Sequence, residues 1–515
     1  MNPARSFQSI RQIRLTNTLS GKKELLETLQ PGKLSFYSCG PTVYGLIHIG
    51  NLRGGLVADM FFRYFQRVGY EVIYVRNYTD IDDKIIQRAR DENIQSEEIA
   101  KKYTQEVEKD YAWVGMLEPT HKTKATEHIP EIILMIEQMI HRGNAYVVEG
   151  GEVLYAIDQF PLYGKLSHKK LDDLISGIRV EVNSKKRNPL DFILWKPAKP
   201  EEPYWESPWG PGRPGWHIEC SAMARKWLGD CIDVHHGGED LIFPHHENEI
   251  AQSEGALGKA PFVKVWLHHA FLTLSEKKMS KSLGNGLTAR DFLSRFSGEV
   301  ARYLLLSIHY RSIINFSSDL IAQAVSNLQR IYEAKARAQD LLCSLGKSRS
   351  DLRAEGIWGE FAASCEKARS VMDEHFANDF NTPAVLGELF TLIREFNRTL
   401  AEPLAQATPS AILGASELIG VIEEDLGGIL GVGRLEAKHA LEDLARMKVS
   451  LSGGETSETE VKNLLTEEEI LAAIEARAVA RKLKDYAAAD AIRKDLERKG
   501  VLIQDGPVGT SWVYQ

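Results

Sequence analysis

Near the N-terminus the chain commits itself to a parallel α/β sheet. Leu34–Cys39 alternates like a half-buried strand, and Gly40-Pro41-Thr42 breaks it. Leu52, Leu56, Met60, Tyr64 and Val68 then recur every four residues, the spacing of one helical face, until Gly69 stops the run. Glu71 to Arg76 reads as a second strand. Strand, turn, helix and strand make one βαβ unit, whose crossover is expected to be right-handed and whose ligand crevice lies beyond the strand C-termini. The helix opens with His48-Ile49-Gly50-Asn51, which falls in that crevice.

The residue types there suit a phosphate. His48 offers an imidazole, Gly50 lets backbone approach a ligand, and the first turn of the helix presents unpaired N–H groups with positive partial charge. About 230 residues later, Lys278-Met279-Ser280-Lys281-Ser282 supplies two ammonium groups on a loop that Gly284 and Gly286 would allow to close. A four-residue string alone arises easily by chance. Its pairing with the lysine segment, and the flanking Gly40-Pro41-Thr42-Val43-Tyr44, favour function over accident.

Bulk properties narrow the class. At 515 residues the chain is too long for one ordinary core, so several domains are expected. No N-terminal apolar stretch resembles a signal peptide, and no run approaches the roughly 20 apolar residues of a membrane span. A soluble, cytoplasmic protein is expected, with no membrane partner. Five cysteines make no disulfide framework in so long a chain and point to thiols or metal ligands. The net charge of -8 argues against a nonspecific nucleic-acid coat, but leaves open RNA recognised through local basic faces and shape.

Composition divides the chain into six parts. Residues 33–118 form the first nucleotide-binding half, and 119–214 read as an insertion carrying a helix from Pro130 to Gly143 and strands at Ala145–Val148 and Val153–Ile157. The second half spans 215–315, with a strand at Cys231–His235, a turn at His236-Gly237-Gly238, a helix at Pro244–Gly255 and a strand at Phe262–Ala270. Residues 316–448 are a helical bundle, with helices at Ala322–Leu342, Phe361–His375 and Ala384–Leu400. The Ser-, Gly- and Glu-rich 449–463 is a linker, and 464–515 a small mixed α/β tail with one charged helix ending near Gly500.

A third constellation has metal-ligand chemistry. Cys39 ends the first strand, Cys220 is taken as a second strand-end ligand, and His245 and Glu249 stand four apart on one helix face. Position 250 is Ile, so the same spacing gives His246 no partner. Two sulfurs, one imidazole and one carboxylate make a plausible zinc shell. Cys231, Cys343 and Cys365 are expected to be small core residues, and His217, His235 and His246 stay open between nucleotide contact and packing.

The longer motifs resemble those of cysteinyl-tRNA synthetases, a class I aminoacyl-tRNA synthetase family whose two signatures are usually written HIGH and KMSKS. The resemblance runs through Cys39–Tyr44, Thr79–Ile86, Lys186–Phe192, Gly212–Met223, Phe243–Glu249 and Asn378–Pro383, and so covers essentially the whole chain. It implies a Rossmann-type catalytic domain with an inserted connective domain, then a helical bundle and an anticodon-binding tail. It implies zinc, one per chain, on Cys39, Cys220, His245 and Glu249, with the substrate's sulfur as a further ligand. It also implies ATP, with magnesium, against Gly40, Thr42, His48, Gly50, Asn51, Gly238, Asp240, Lys278 and Lys281, and cysteine beside Cys39, Thr79 and Trp216. Tail residues Arg481, Tyr486, Asp490, Asp505 and Trp512 would meet the anticodon of tRNA(Cys), by stacking and by polar contacts to base edges. A monomer is implied too.

Physical chemistry explains the metal. Cysteine and serine differ by one atom, which an apolar pocket separates only modestly, by about 10²-fold or less. A thiol yields its proton to zinc far more readily than an alcohol and binds it better. Two other readings stand beside this one. A ligase joining activated cysteine to an amino sugar shares the zinc and ATP motifs but lacks the tail, and a silent paralogue has no reason to keep His48, Lys278, Lys281 and all four ligands. Asn51 departs from the name motif: it can donate a hydrogen bond to phosphate but cannot carry charge.

Overall fold

The computed structural model describes residues 11–169, 185–274, 277–278, 287–345, 355–402, 409–451, 467–483, 485–498, 501–506 and 509–514. Its centre is a five-stranded sheet of β1 (Lys33–Ser38), β2 (Glu71–Tyr78), β3 (His121–Lys124), β4 (Ile232–Gly238) and β5 (Val263–His269). The order is β5-β4-β1-β2-β3 and every pairing is parallel. Strands β1 and β4, some 200 residues apart in sequence, lie side by side with Val234 opposite Phe36. The chain thus changes direction across the sheet at this pair, which is where an open parallel sheet leaves a crevice.

Helix α1 (Ile49–Arg67) follows β1, and its buried residues lie all round it, from Leu52 and Leu56 to Met60, Phe61 and Tyr64. Its core is continuous with that of the helices at Ser318–Leu345, Gly356–Ala377, Thr382–Ala401, Pro409–Gly420 and Ala437–Leu451. The Asn378–Pro383 motif makes the join. Asp379 and Phe380 take positive φ angles of 65° and 53°, costly for residues with a Cβ. The kink lets Asp379 accept hydrogen bonds from the Thr16 amide at 2.9 Å and the Tyr310 hydroxyl at 2.7 Å. It also sets the Phe380 ring 4.3 Å from Phe61 under α1.

Between β3 and α2 (Trp216–Leu228) lies a four-stranded antiparallel sheet of Ala145–Val147, Val153–Tyr155, Phe192–Pro197 and Gly212–Pro214. Helix α3 (Glu247–Leu257) connects β4 to β5.

Several sequence expectations need correcting. A hairpin, Arg14–Asn17 with Lys22–Leu25, precedes the predicted start of the fold. His236-Gly237-Gly238 is not a turn but the end of β4, because β5 runs on to His269 and supplies partners for it. Gly237 is required there by packing, since a Cβ would lie 2.5 Å from the His246 ring. Only Cys365 of the three supposed core cysteines is buried; Cys231 is half-buried and Cys343 exposed. The tail has two helices, Glu467–Lys482 and Tyr486–Arg498, followed by a hairpin of Val501–Gly506 and Gly509–Tyr514. No helix among the described residues is long and apolar enough to cross a membrane.

Candidate active site

The C-terminal ends of β1, β4 and β5 and the first turn of α1 open onto a cleft of about 360 Å³. Cys39, Gly40, Thr42, His48, Gly50, Asn51, Trp216, Gly238 and Asp240 all line it, so most of the residues singled out from the sequence meet in one place. Thr79 does not line it. It is 2 % exposed at the end of β2, its backbone bridges Thr42, and its hydroxyl faces the Glu219 carboxyl.

The phosphate end is organised by a helix cap. The His48 ring accepts from the Asn51 amide at 3.1 Å, and the Asn51 side-chain oxygen accepts from the His48 amide at 3.3 Å, a reciprocal capping box. Asn51 is thereby explained: an amide can close the cap. Gly50 leaves room for the arrangement, because a Cβ there would sit 2.9 Å from the His48 ring.

Lys278 belongs to the two-residue strand Lys277–Lys278, whose backbone pairs with Leu272–Leu274, which in turn pairs with Ile314–Phe316. Lys281, Gly284 and Gly286 lie outside the described residues. Sequence reasoning missed what anchors this segment. Arg53, fully buried on α1, donates from Nη1 to the carbonyls of Ala270 at 2.6 Å and Phe271 at 2.9 Å, and from Nη2 to that of Ser312 at 2.7 Å. Burial pulls its guanidinium down to about 10, against the pull of Glu239. A cation inside an otherwise apolar helical pattern was the available signal.

Cys39 lines the cleft, and the other three candidate ligands are buried behind it. Cys39 Sγ lies 3.8 Å from Cys220 Sγ and 3.7 Å from Glu249 Oε1, and His245 Nε2 lies 3.1 Å from the same oxygen. Cys220 comes from the second turn of α2, not from a strand end, and the fully buried His245 stands one turn before Glu249. His246 also enters the group: its Nε2 is 3.4 Å from Cys39 Sγ, and its Nδ1 contacts His268 Nε2 at 2.7 Å. Ligand atoms of Cys39, His245, His246 and Glu249 all fall within 4.8 Å of one another, a group that could hold a metal ion. His235 Nε2 fixes the second Glu249 oxygen at 3.0 Å, a role the sequence did not reveal.

The electrostatics agree with a cation site. Burial pushes the Cys39 thiol up, whereas the hydrogen bond from Cys39 pulls Cys220 down to about 6. Burial would lower the His245 imidazole, but its hydrogen bonds to Cys220 and Glu249 lift it to about 10. Burial likewise raises Glu249, and the imidazoles of His235 and His245 more than reverse this, to about 2. Without a metal, the His245 proton is thus held between a sulfur and a carboxylate, the place a divalent cation would take on displacing it.

The tail residues form a separate set. Arg481, Tyr486 and Asp490 are exposed on the two tail helices, Tyr486 by 62 %. Asp505 and Trp512 stand on the hairpin, opposite Thr510 and Ile503.

Comparison with known proteins accords with this architecture. Residues 25–326 match the model of the tRNA synthetases class I (C) catalytic domain, and residues 372–433 that of the DALR domain. The chain is 44% identical over 501 residues to the cysteine–tRNA ligase of Syntrophotalea carbinolica, covering 97% of this chain and 99% of that protein. It is 45% identical over 500 residues to that of Trichlorobacter lovleyi, with the same coverage. Among solved structures, Mycobacterium tuberculosis methionyl-tRNA synthetase in complex with methionyl-adenylate shares the fold with a TM-score of 0.58 at 14% identity, over 80% of this chain and 93% of that one. With a catalytic-domain match across more than half its length and relatives this similar from end to end, the chain belongs to the cysteine–tRNA ligase family of class I aminoacyl-tRNA synthetases.

Proposed function

We propose that the protein activates L-cysteine with ATP, releasing pyrophosphate, and transfers the cysteinyl group to the 3′ end of tRNA(Cys). The observation that carries this reading is a cleft lined by a capped helix N-terminus and by Cys39, through which it adjoins a buried metal-ligand group. Zinc is the cation that suits the donor set. With metal–sulfur bonds of about 2.3 Å and metal–nitrogen or metal–oxygen bonds of about 2.1 Å, a tetrahedron spaces two sulfurs about 3.8 Å apart, sulfur and oxygen about 3.6 Å, and nitrogen and oxygen about 3.4 Å. The measured separations are 3.8, 3.7 and 3.1 Å. Cys39, Cys220, His245 and Glu249 would hold it, one ion per chain; His246 belongs to the same donor group, but its Nε2 is 3.9 Å from Glu249 Oε1 against 3.1 Å for His245. When bound, zinc supplies a soft Lewis acid that prefers a thiolate to an alcohol.

The rest of the chemistry needs no protein nucleophile. The carboxylate of cysteine attacks the α-phosphorus of ATP and pyrophosphate leaves; the terminal ribose hydroxyl of tRNA then displaces AMP from the carbonyl. Orientation and charge do the catalysis. His48, the Asn51 side-chain NH2 and the first free N–H groups of α1 receive phosphate oxygens, and Lys278 and Lys281 stabilise the departing pyrophosphate. Magnesium accompanies the triphosphate. Gly238 and Asp240 take the adenosine, Trp216 covers the amino acid, and Thr79 supports it from behind the wall. Arg481, Tyr486, Asp490, Asp505 and Trp512 read the anticodon, and the protein works as a monomer in the cytoplasm.

The test is ATP–pyrophosphate exchange with cysteine against serine, with metal content measured on the same sample. Exchange with cysteine alone, at one zinc per chain, is expected. Equal exchange with both amino acids, or full activity without metal, would refute the reading.

A further inference from the structure

Glu219 is a buried carboxyl that none of the above uses. It lies one residue before Cys220 on α2 and three after Trp216, so it shares a helical face with the tryptophan that lines the cleft. It is 1 % exposed, and its Oε2 has no hydrogen-bond partner. The Thr79 hydroxyl bonds the carboxyl, and the residue lines a smaller cavity of about 260 Å³, which Trp216 also lines and which therefore adjoins the cleft.

Neighbouring acids are committed elsewhere. Asp80 accepts from the Thr126 amide at 3.1 Å and its hydroxyl at 2.5 Å. Asp82 caps its helix at the Lys84 amide at 2.9 Å, and Asp83 pairs with Lys196 at 2.8 Å and with Arg213. Glu249 is taken by His235 and His245. Buried polar atoms are almost always satisfied, so an orphan oxygen at a cavity wall marks where a donor from outside binds.

We propose that Glu219 Oε2 receives the α-ammonium of the amino-acid substrate. The assignment rests on the cysteine reading and deepens it. Cysteine has three polar ends: the sulfur belongs at the thiol-rich group, and the carboxylate must be left to meet phosphorus. The ammonium is the remaining handle. Only two carbons separate it from the sulfur, so its partner must stand near the thiols, and Glu219 is close enough to Cys220 for the two to interact electrostatically. An ammonium donating to this oxygen completes a three-point hold on the α-carbon and turns the carboxylate toward the capped end of α1. Glu219 is then a specificity residue for 2-amino acids, selecting them from thiol acids that lack nitrogen.

Equilibrium binding of L-cysteine and of 3-mercaptopropionate, which keeps thiol and carboxylate but has no ammonium, tests this on the metal-loaded full chain. Wild type is expected to prefer cysteine by roughly 10- to 100-fold. Glu219→Gln should erase that preference by weakening cysteine alone, with metal content unchanged. Glu219→Asp, which keeps the carboxyl group but withdraws it, should give an intermediate ratio, and it decides the matter if the Gln variant fails to fold. A preference that survives in Glu219→Gln, or in a folded Glu219→Asp at its wild-type value, overturns the assignment. Wild type that binds neither thiol would refute the cysteine reading itself.

Discussion

Below the cleft wall at Cys39, its sulfur stands 3.8 Å from Cys220 and 3.7 Å from Glu249, His245 and His246 complete the group, and His235 and His268 hold it from outside. At the phosphate end, His48 and Asn51 merely close a helix cap, and Lys278 lies on a two-residue strand paired to one that follows the carbonyls Arg53 holds. Two buried helices and two strand ends fix the buried group, so its geometry is set before any substrate arrives. The other end is built from a helix terminus and a tethered segment. On the proposed function, selection of the amino acid falls to the core and activation of ATP to the rim, so the two should separate by mutation.

The sharpest break is at the buried group. Cys39→Ser or His245→Ala is expected to strip the metal and to reduce cysteine activation beyond the 10- to 100-fold usual for outer-shell changes, as metal analysis and exchange rates would reveal. Next comes the rim: Lys281→Ala should slow adenylate formation by about 10²-fold with zinc retained, so that metal content and rate part company. Arg53→Lys keeps the charge but loses the planar fork. Its carbonyl partners at 270, 271 and 312 would be re-spaced, and exchange kinetics should record a higher KM for ATP and a turnover reduced by roughly 10-fold, with the cysteine KM unaltered. His235→Ala should leave turnover on saturating zinc nearly intact but weaken metal affinity by roughly 10-fold, read by chelator competition. Smallest is Asn51→Ala, which removes half of the capping box and should cost about 1 kcal/mol of stability in denaturant unfolding. If Lys281→Ala lost zinc, or Cys39→Ser kept it, the division of the cleft into core and rim would fail.

Much of this was legible in the chain because local chemistry is written locally. The alternation of Leu34–Cys39, the four-residue spacing from Leu52 to Val68 and the His245–Glu249 interval each encode a period that backbone geometry imposes. Elsewhere local signals misled. Two consecutive glycines after His236 look like a turn, yet β5 draws them into the sheet. Cys220 is expected at a strand end, but the Trp216–Leu228 helix carries it. His246 seemed redundant beside His245, although both rings reach the same oxygen.

The sequence alone determined the parallel α/β core, the capped helix with its imidazole, the lysine motif and the identities of the candidate ligands, because periodicity and residue chemistry do not depend on distant contacts. Only the tertiary structure decided which atoms meet: that Cys39 and Cys220 come within 3.8 Å across 181 positions of sequence, that His235 and His246 close around Glu249, and that Glu219 is left with an unpaired oxygen. Those outcomes follow from how strands order themselves in a sheet and how helices pack upon it, which no local period specifies.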